Sequence, residues 1–292
     1  MPKNEDAPGW VIPAMRLGYT ARGVTYLIIG VLAALAAWTG GEAQGTSDAL
    51  ASLESYPMGV VALWAIALGM LCYAVWRLIC AGYDLEDHGS GAKAAVARMG
   101  QAVTGLIHLG IAFSVARLAW GFSGGEGGGQ GGEGGSGAQS VASWVLSLPY
   151  GSAIIMAIGA ITIGAGIYYG WKGISEKYKE NMRYTEFARK LDPVVKAGLI
   201  AHGVIIAIIG VFLIYAGLYT DPGQAGGIGK AFQEVRSQPY GMVLLGALAL
   251  GTVAFAVYCW IEAAYRVVPR CAGPDIRTLA DRAKAEARGL TG

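Results

Sequence analysis

Six apolar runs divide the chain, at residues 17–38, 58–82, 100–120, 150–171, 197–219 and 241–265. Runs of roughly 20 apolar residues match the ~30 Å hydrocarbon core of a bilayer at 1.5 Å per residue. The polar positions between them repeat. Each odd run opens on a cation with glycine two and seven residues later: Arg16, Gly18 and Gly23; Arg98, Gly100 and Gly105; Lys196, Gly198 and Gly203. Each even run is headed by a proline two residues before a glycine: Pro57-Met58-Gly59, Pro149-Tyr150-Gly151 and Pro239-Tyr240-Gly241. Two marks repeated three times predict an all-α integral membrane protein with six transmembrane helices in three pseudo-threefold-related pairs.

The repeats take residues 16–84, 98–178 and 196–266. Around them lie an N-terminal arm (1–15), a polar loop (85–97), a basic loop (179–195) and a basic tail (267–292). Residues 123–139 in the second repeat are dominated by glycine and read as a flexible linker. Short segments before the even runs, such as 47–53 and 140–148, read as interfacial helices.

Residues four apart share one helix face. The first stripe is Gly18, Arg22, Tyr26, Gly30; its counterparts are Gly100, Thr104, His108, Ala112 and Gly198, His202, Ile206, Gly210. Small residues allow close helix packing in lipid, which accounts for the glycines (Gly18, Gly23, Gly30, Gly100, Gly105, Gly198, Gly203, Gly210). It does not account for Arg22, Thr104, His108 and His202, because ionisable groups inside a membrane face a partner or a cavity. Arg22 lies near enough to the end of its run to reach toward the membrane surface. The even runs add Arg77 and Glu262, and Glu262 is expected to pair with Arg22 or Arg77. Trp76, Tyr168 and Tyr258 share one repeat position and read as interfacial aromatics. The candidate interior site is therefore Arg22, Tyr26, Arg77, Thr104, His108, His202 and Glu262.

Charge sets the orientation. Lys3, Arg16, Arg22, Lys93, Arg98, the cations of 172–196 and the tail fall on one side; Arg117, Lys230 and Arg236 fall on the other. An even number of spans puts both termini on the basic side, which the positive-inside rule makes cytoplasmic. The basic loop and tail suit anionic lipid or a membrane protein partner. Composition agrees: 54% of the 292 residues are hydrophobic and 14% charged, against about a quarter charged in soluble domains. The net charge of +2 gives no footprint for nucleic acid. The first run resembles a signal-peptide core, but its removal would leave one of three pairs incomplete.

Chemistry is sparse. The four cysteines (Cys72, Cys80, Cys259, Cys271) have no metal or redox spacing, and no nucleophile-elbow or H-E-x-x-H motif occurs. These features predict a non-enzymatic protein with no metal and no cofactor. One alternative is a b-type haem between His108 and His202. The opening Arg16-Leu17-Gly18-Tyr19-Thr20-Ala21-Arg22-Gly23 resembles that of a bacterial membrane family catalogued as domain of unknown function number 1206, built of three two-helix repeats. The later copies diverge, with Thr104 and His202 in place of Arg22. The resemblance implies the six-helix fold and a bacterial inner-membrane location, and carries no activity. The expected function is a channel or transporter-like bundle for a small solute or ion; an accessory or scaffolding subunit is the alternative.

Overall fold

A computed structural model describes residues 10–41, 44–56, 58–121, 136–183 and 185–269. Most of the glycine-rich linker, the start of the N-terminal arm and the tail from residue 270, with Cys271, lie outside the described residues. The helices are α1 (Val11–Thr39), α2 (Thr46–Ala51), α3 (Gly59–Tyr83), α4 (Ala92–Ala119), α5 (Ser136–Leu146), α6 (Gly151–Ile174), α7 (Glu186–Lys190), α8 (Asp192–Leu218), α9 (Ile228–Ser237) and α10 (Gly241–Tyr265). Six of them, α1, α3, α4, α6, α8 and α10, are long and apolar enough to span a membrane.

The odd spans begin before their apolar runs. α1 starts at Val11, α4 at Ala92 and α8 at Asp192. Pro13 fits the first turn of α1, where backbone N–H groups have no intrahelical partner anyway. This corrects the N-terminal arm: Val11 and Met15 belong to α1 and are buried in a cluster with Tyr178, Met182 and Val268.

The spans pack in the order α4, α3, α1, α10, α8, α6. No comparable interface joins α4 to α6 among the described residues, and these two spans are the least buried, at 28% and 22% of their apolar windows. Glycine sets the closeness of the seams. A Cβ on Gly18 would stand 2.6 Å from the Tyr73 backbone, one on Gly198 2.5 Å from the Phe255 backbone, and one on Gly203 2.6 Å from the Gly166 carbonyl. Gly23 meets the Trp260 ring, Gly30 meets Val253, Gly105 meets Leu78 and Gly210 meets Ile163. Gly100 is the exception. It is exposed, and a Cβ there would meet nothing within 4 Å, so it is not a packing glycine.

The proline-glycine mark encodes one turn used three times. Met58, Tyr150 and Tyr240 each take a left-handed conformation (φ 69°, 61° and 62°) immediately before an even span. The next glycine N–H then donates to the carbonyl three residues back: Gly59 to Tyr56, Gly151 to Leu148 and Gly241 to Gln238. A Cβ would collide with the preceding helix, 2.2 Å from Val145 O at Gly151 and 1.9 Å from Arg236 O at Gly241.

At the end of the bundle holding these turns, two cations serve as caps. Arg236 donates to the carbonyls of Gly40 and Gly41, past the last turn of α1, and Lys230 to those of Gly223 (2.9 Å) and Gln224 (2.8 Å), beyond α8. Arg236 thereby complements the negative end of the α1 dipole, while Lys230 ties down the turn that follows α8.

Candidate functional site

α1 turns Tyr19, Arg22 and Tyr26 into the bundle. Arg22 lies ~16 Å along α1 by helical rise and is only 4% exposed. It does not reach for the surface. Its Nη1 donates to the Tyr73 hydroxyl at 2.9 Å, and its guanidinium carbon stands 5.1 Å from the ring centroids of Tyr73 and Phe255 and 5.5 Å from that of Tyr26. Among the described residues no carboxylate forms an ion pair with it.

Both membrane histidines belong to the same aromatic centre. His202 stacks on Phe255 with centroids 3.7 Å apart and 13° between planes, edged by Tyr26 (5.3 Å) and Tyr169 (5.0 Å). His108 lies 4.6 Å from Tyr73, and its Nδ1 is 2.8 Å from the Thr104 carbonyl. A carbonyl only accepts, so Nδ1 carries the proton there and the neutral ring leaves Nε2 as acceptor. Arg22 touches the ring partners of both histidines, Tyr73 for one and Phe255 for the other.

Arg77, one turn beyond Tyr73 on α3, has its guanidinium 5.8 Å from the Tyr73 centroid and leads toward the end of the bundle that carries the start of α1. There it meets Glu86 at 3.5 Å. The loop after α3 presents this carboxylate inward because Asp84, in a left-handed conformation, accepts from the backbone N–H groups of His88 and Gly89, both at 3.0 Å. Arg266 completes the network, bonding Glu86 at 2.7 Å and Glu262 on the preceding turn. Its backbone is fixed by an antiparallel bridge to Met182. Burial pushes the Glu86 carboxyl up, but Arg266 and Arg77 outweigh that and hold it at about 2. Burial likewise opposes the charge on Arg266, and Glu262, Tyr19 and Glu86 keep it well above its ordinary value.

Several expectations therefore change. Glu262 pairs with Arg266, not with Arg22 or Arg77, because the residue four positions on lies directly above it on the helix. Thr104 is half-buried and gives its hydroxyl to Gly100 O at 2.7 Å, which separates it from the polar centre. Trp76 and Tyr258 are core residues, 0% and 3% exposed, whereas Tyr168 is 49% exposed. Lys172 is drawn out of the basic stretch onto the Tyr258 hydroxyl at 3.1 Å. The structure brings together Arg22, Tyr26, Arg77, His108 and His202. It adds Tyr73, Tyr169, Phe255, Glu86 and Arg266.

The model of a family described as Domain of Unknown Function (DUF1206) matches residues 17–84, 99–176 and 197–266. The chain belongs to the DUF1206 family. A relative in Bacillus subtilis (strain 168), the uncharacterized protein YxxB, is 30% identical over 268 residues, covering 90% of this chain and 94% of its own. No solved structure matches. The aromatic centre lies wholly within the three DUF1206 segments; Glu86 falls in the gap between the first two.

Proposed function

We propose that this DUF1206 protein is a non-enzymatic, multi-pass protein of the bacterial inner membrane whose interior centre receives a small solute or ion. One observation carries the reading. All six spans send a side chain to one buried centre: Arg22 and Tyr26 from α1, Tyr73 from α3, His108 from α4, Tyr169 from α6, His202 from α8 and Phe255 from α10. Helix packing alone needs no guanidinium at that depth, where insertion of an Arg costs ~3 kcal/mol. Three related helix pairs suit part of the neighbour pattern, in which the even span of each repeat rests on the odd span of the next, α3 on α4, α6 on α8 and α10 on α1, while the contact within a repeat, α1 with α3 and α8 with α10, has no broad counterpart between α4 and α6 among the described residues. Cytoplasmic termini suit the charge distribution, since Lys230 and Arg236 on the opposite side are engaged by backbone carbonyls. The test is flux through proteoliposomes. Arg22→Gln and His202→Gln, retaining the wild-type elution volume, should lower it strongly; unchanged flux in both would remove this centre from the path.

A second reading, an accessory subunit held at the basic face, is supported by Phe187, which is 56% exposed among the exposed cations Arg183, Arg189 and Lys190. Other cations of that stretch are engaged internally, Lys179 and Lys196 by Glu176 and Asp192. Anionic lipid headgroups or one membrane protein partner would meet the remainder. Co-purification of a fixed partner in mild detergent supports the subunit, and solitary protein that sustains flux removes it.

A further inference from the structure

The buried polar atoms that find no partner in the described protein are mostly donors. Arg22 Nε, Trp76 Nε1, Arg77 Nε and Arg266 Nε are N–H groups, against two amide oxygens, Gln44 Oε1 and Gln101 Oε1. The charges lean the same way. Arg22, Arg77, Lys172 and Arg266 gather near Tyr19, Tyr73 and Tyr258, with Glu86 and Glu262 as the carboxylates among them. Arg266 engages both carboxylates and Arg77 engages one. Arg22 meets a hydroxyl and ring faces instead. Cation–π contacts offset part of the desolvation of a buried cation, while a buried charge is ordinarily matched by a counter-charge.

We propose that the Arg22 centre is a binding site for a small, singly charged oxyanion of the carboxylate type. This rests on the interior-site reading above and gives the solute its chemical class. A guanidinium presents a planar fork of donors that matches two oxygens of one anion, which a spherical ion cannot use. The Tyr73 hydroxyl, already on Nη1, is placed to share the ligand. The ring walls of Tyr26, Phe255 and Tyr169 favour a ligand whose uncharged part is small and apolar. The single guanidinium without a carboxylate calls for one negative charge, and a second would add desolvation cost without a counter-ion.

The experiment uses the full chain in neutral detergent, with acetate or nitrate replacing chloride at constant ionic strength. Intrinsic fluorescence and thermal unfolding are recorded. Wild type should respond saturably. Arg22→Gln should weaken the half-saturation point by at least ~10-fold, the scale of one lost charged hydrogen bond. Arg183→Gln, at an exposed cation that makes none of the contacts of the centre, should not move it. Arg22→Lys keeps the charge and removes the fork, so it should abolish the preference for acetate over chloride; with Tyr73→Phe it carries the test if Arg22→Gln does not fold. Absence of a saturable wild-type response to both anions overturns the proposal, and so does an Arg22→Lys protein with wild-type preference. Binding without flux would keep the anion site and remove the transport reading. Flux of a cation or neutral solute without anion binding would do the reverse.

Discussion

Arg22 Nη1 donates to the hydroxyl of Tyr73 at 2.9 Å, and Gly18, one turn earlier on the same helix, is what lets Tyr73 come so near. A Cβ on Gly18 would stand 2.6 Å from the backbone of that tyrosine. A packing glycine and a buried charge, adjacent on one stripe, thus act on the same residue of α3. The small residue sets the distance between helices, and the distance determines which partner the guanidinium reaches.

Tyr73→Phe deletes the hydroxyl that accepts from Arg22 Nη1 while keeping the ring. Loss of a hydrogen bond to a charged group should destabilise the protein by ~1.5–3 kcal/mol, read as a lower denaturation midpoint in detergent. An unchanged midpoint would mean that the guanidinium has another acceptor ready.

Gly18→Ala and Gly100→Ala make a matched pair. The first forces a Cβ into the Tyr73 backbone and should cost ~1–3 kcal/mol as overpacking. The second adds a methyl group in open space on a helix and should be neutral or stabilise by up to about 1 kcal/mol. Equal losses in the two would contradict the assigned seam between α1 and α3.

Glu86 gives the fold an acid limit. Folding lowers its pKa from the ordinary carboxylate range to about 2, so its contribution is complete above that range and fades as pH falls toward about 2. At 1.36 kcal/mol per pH unit the full contribution is of order 3 kcal/mol. Glu86→Gln should therefore lower stability at neutral pH and flatten the stability profile between about pH 4.5 and 2. A variant whose profile stays as steep as wild type would assign the acid sensitivity to other carboxylates.

Met58→Gly relieves a left-handed conformation that an L side chain holds at a cost of ~1–2 kcal/mol. Met58 is 72% exposed, so little packing is lost. The expected result is a rise in stability of about 1 kcal/mol by denaturant titration; a fall would show that the methionine side chain anchors the turn.

An optical spectrum tests the haem alternative. Each imidazole is packed against an aromatic ring, His108 against Tyr73 and His202 against Phe255, and purified protein should be featureless in the visible range, oxidised or dithionite-reduced. A Soret band that His108→Ala and His202→Ala abolish would reverse that conclusion.

The membrane spans and their grouping were legible because both marks are local: a cation with spaced glycines, and a proline before a left-handed turn. Glu262 was misjudged because its partner, Arg266, stands just past the end of the apolar run and reads as part of the basic tail. Glu86 was overlooked for a related reason. In sequence it is a loop acid, and only the backbone bonds to Asp84 turn it inward. Tyr73 and Phe255 did leave a signal, since they share a repeat position one turn before that of Trp76 and Tyr258. What sequence spacing could not supply is which of the turns on an apolar helix faces the centre, because residues on every side are apolar.

The row of spans has two ends, and both belong to the second repeat. α4 is fastened mainly to α3, and α6 to α8, each through one broad interface. Displacing either end helix leaves the glycine-tight seams of the remaining spans untouched. The interior residues borne by the two include His108 on α4 and Tyr169 and Lys172 on α6. Parting α4 from α6 unpacks no broad interface among the described residues, so the sideways way into the centre from the lipid lies between these two helices rather than through any seam of the row.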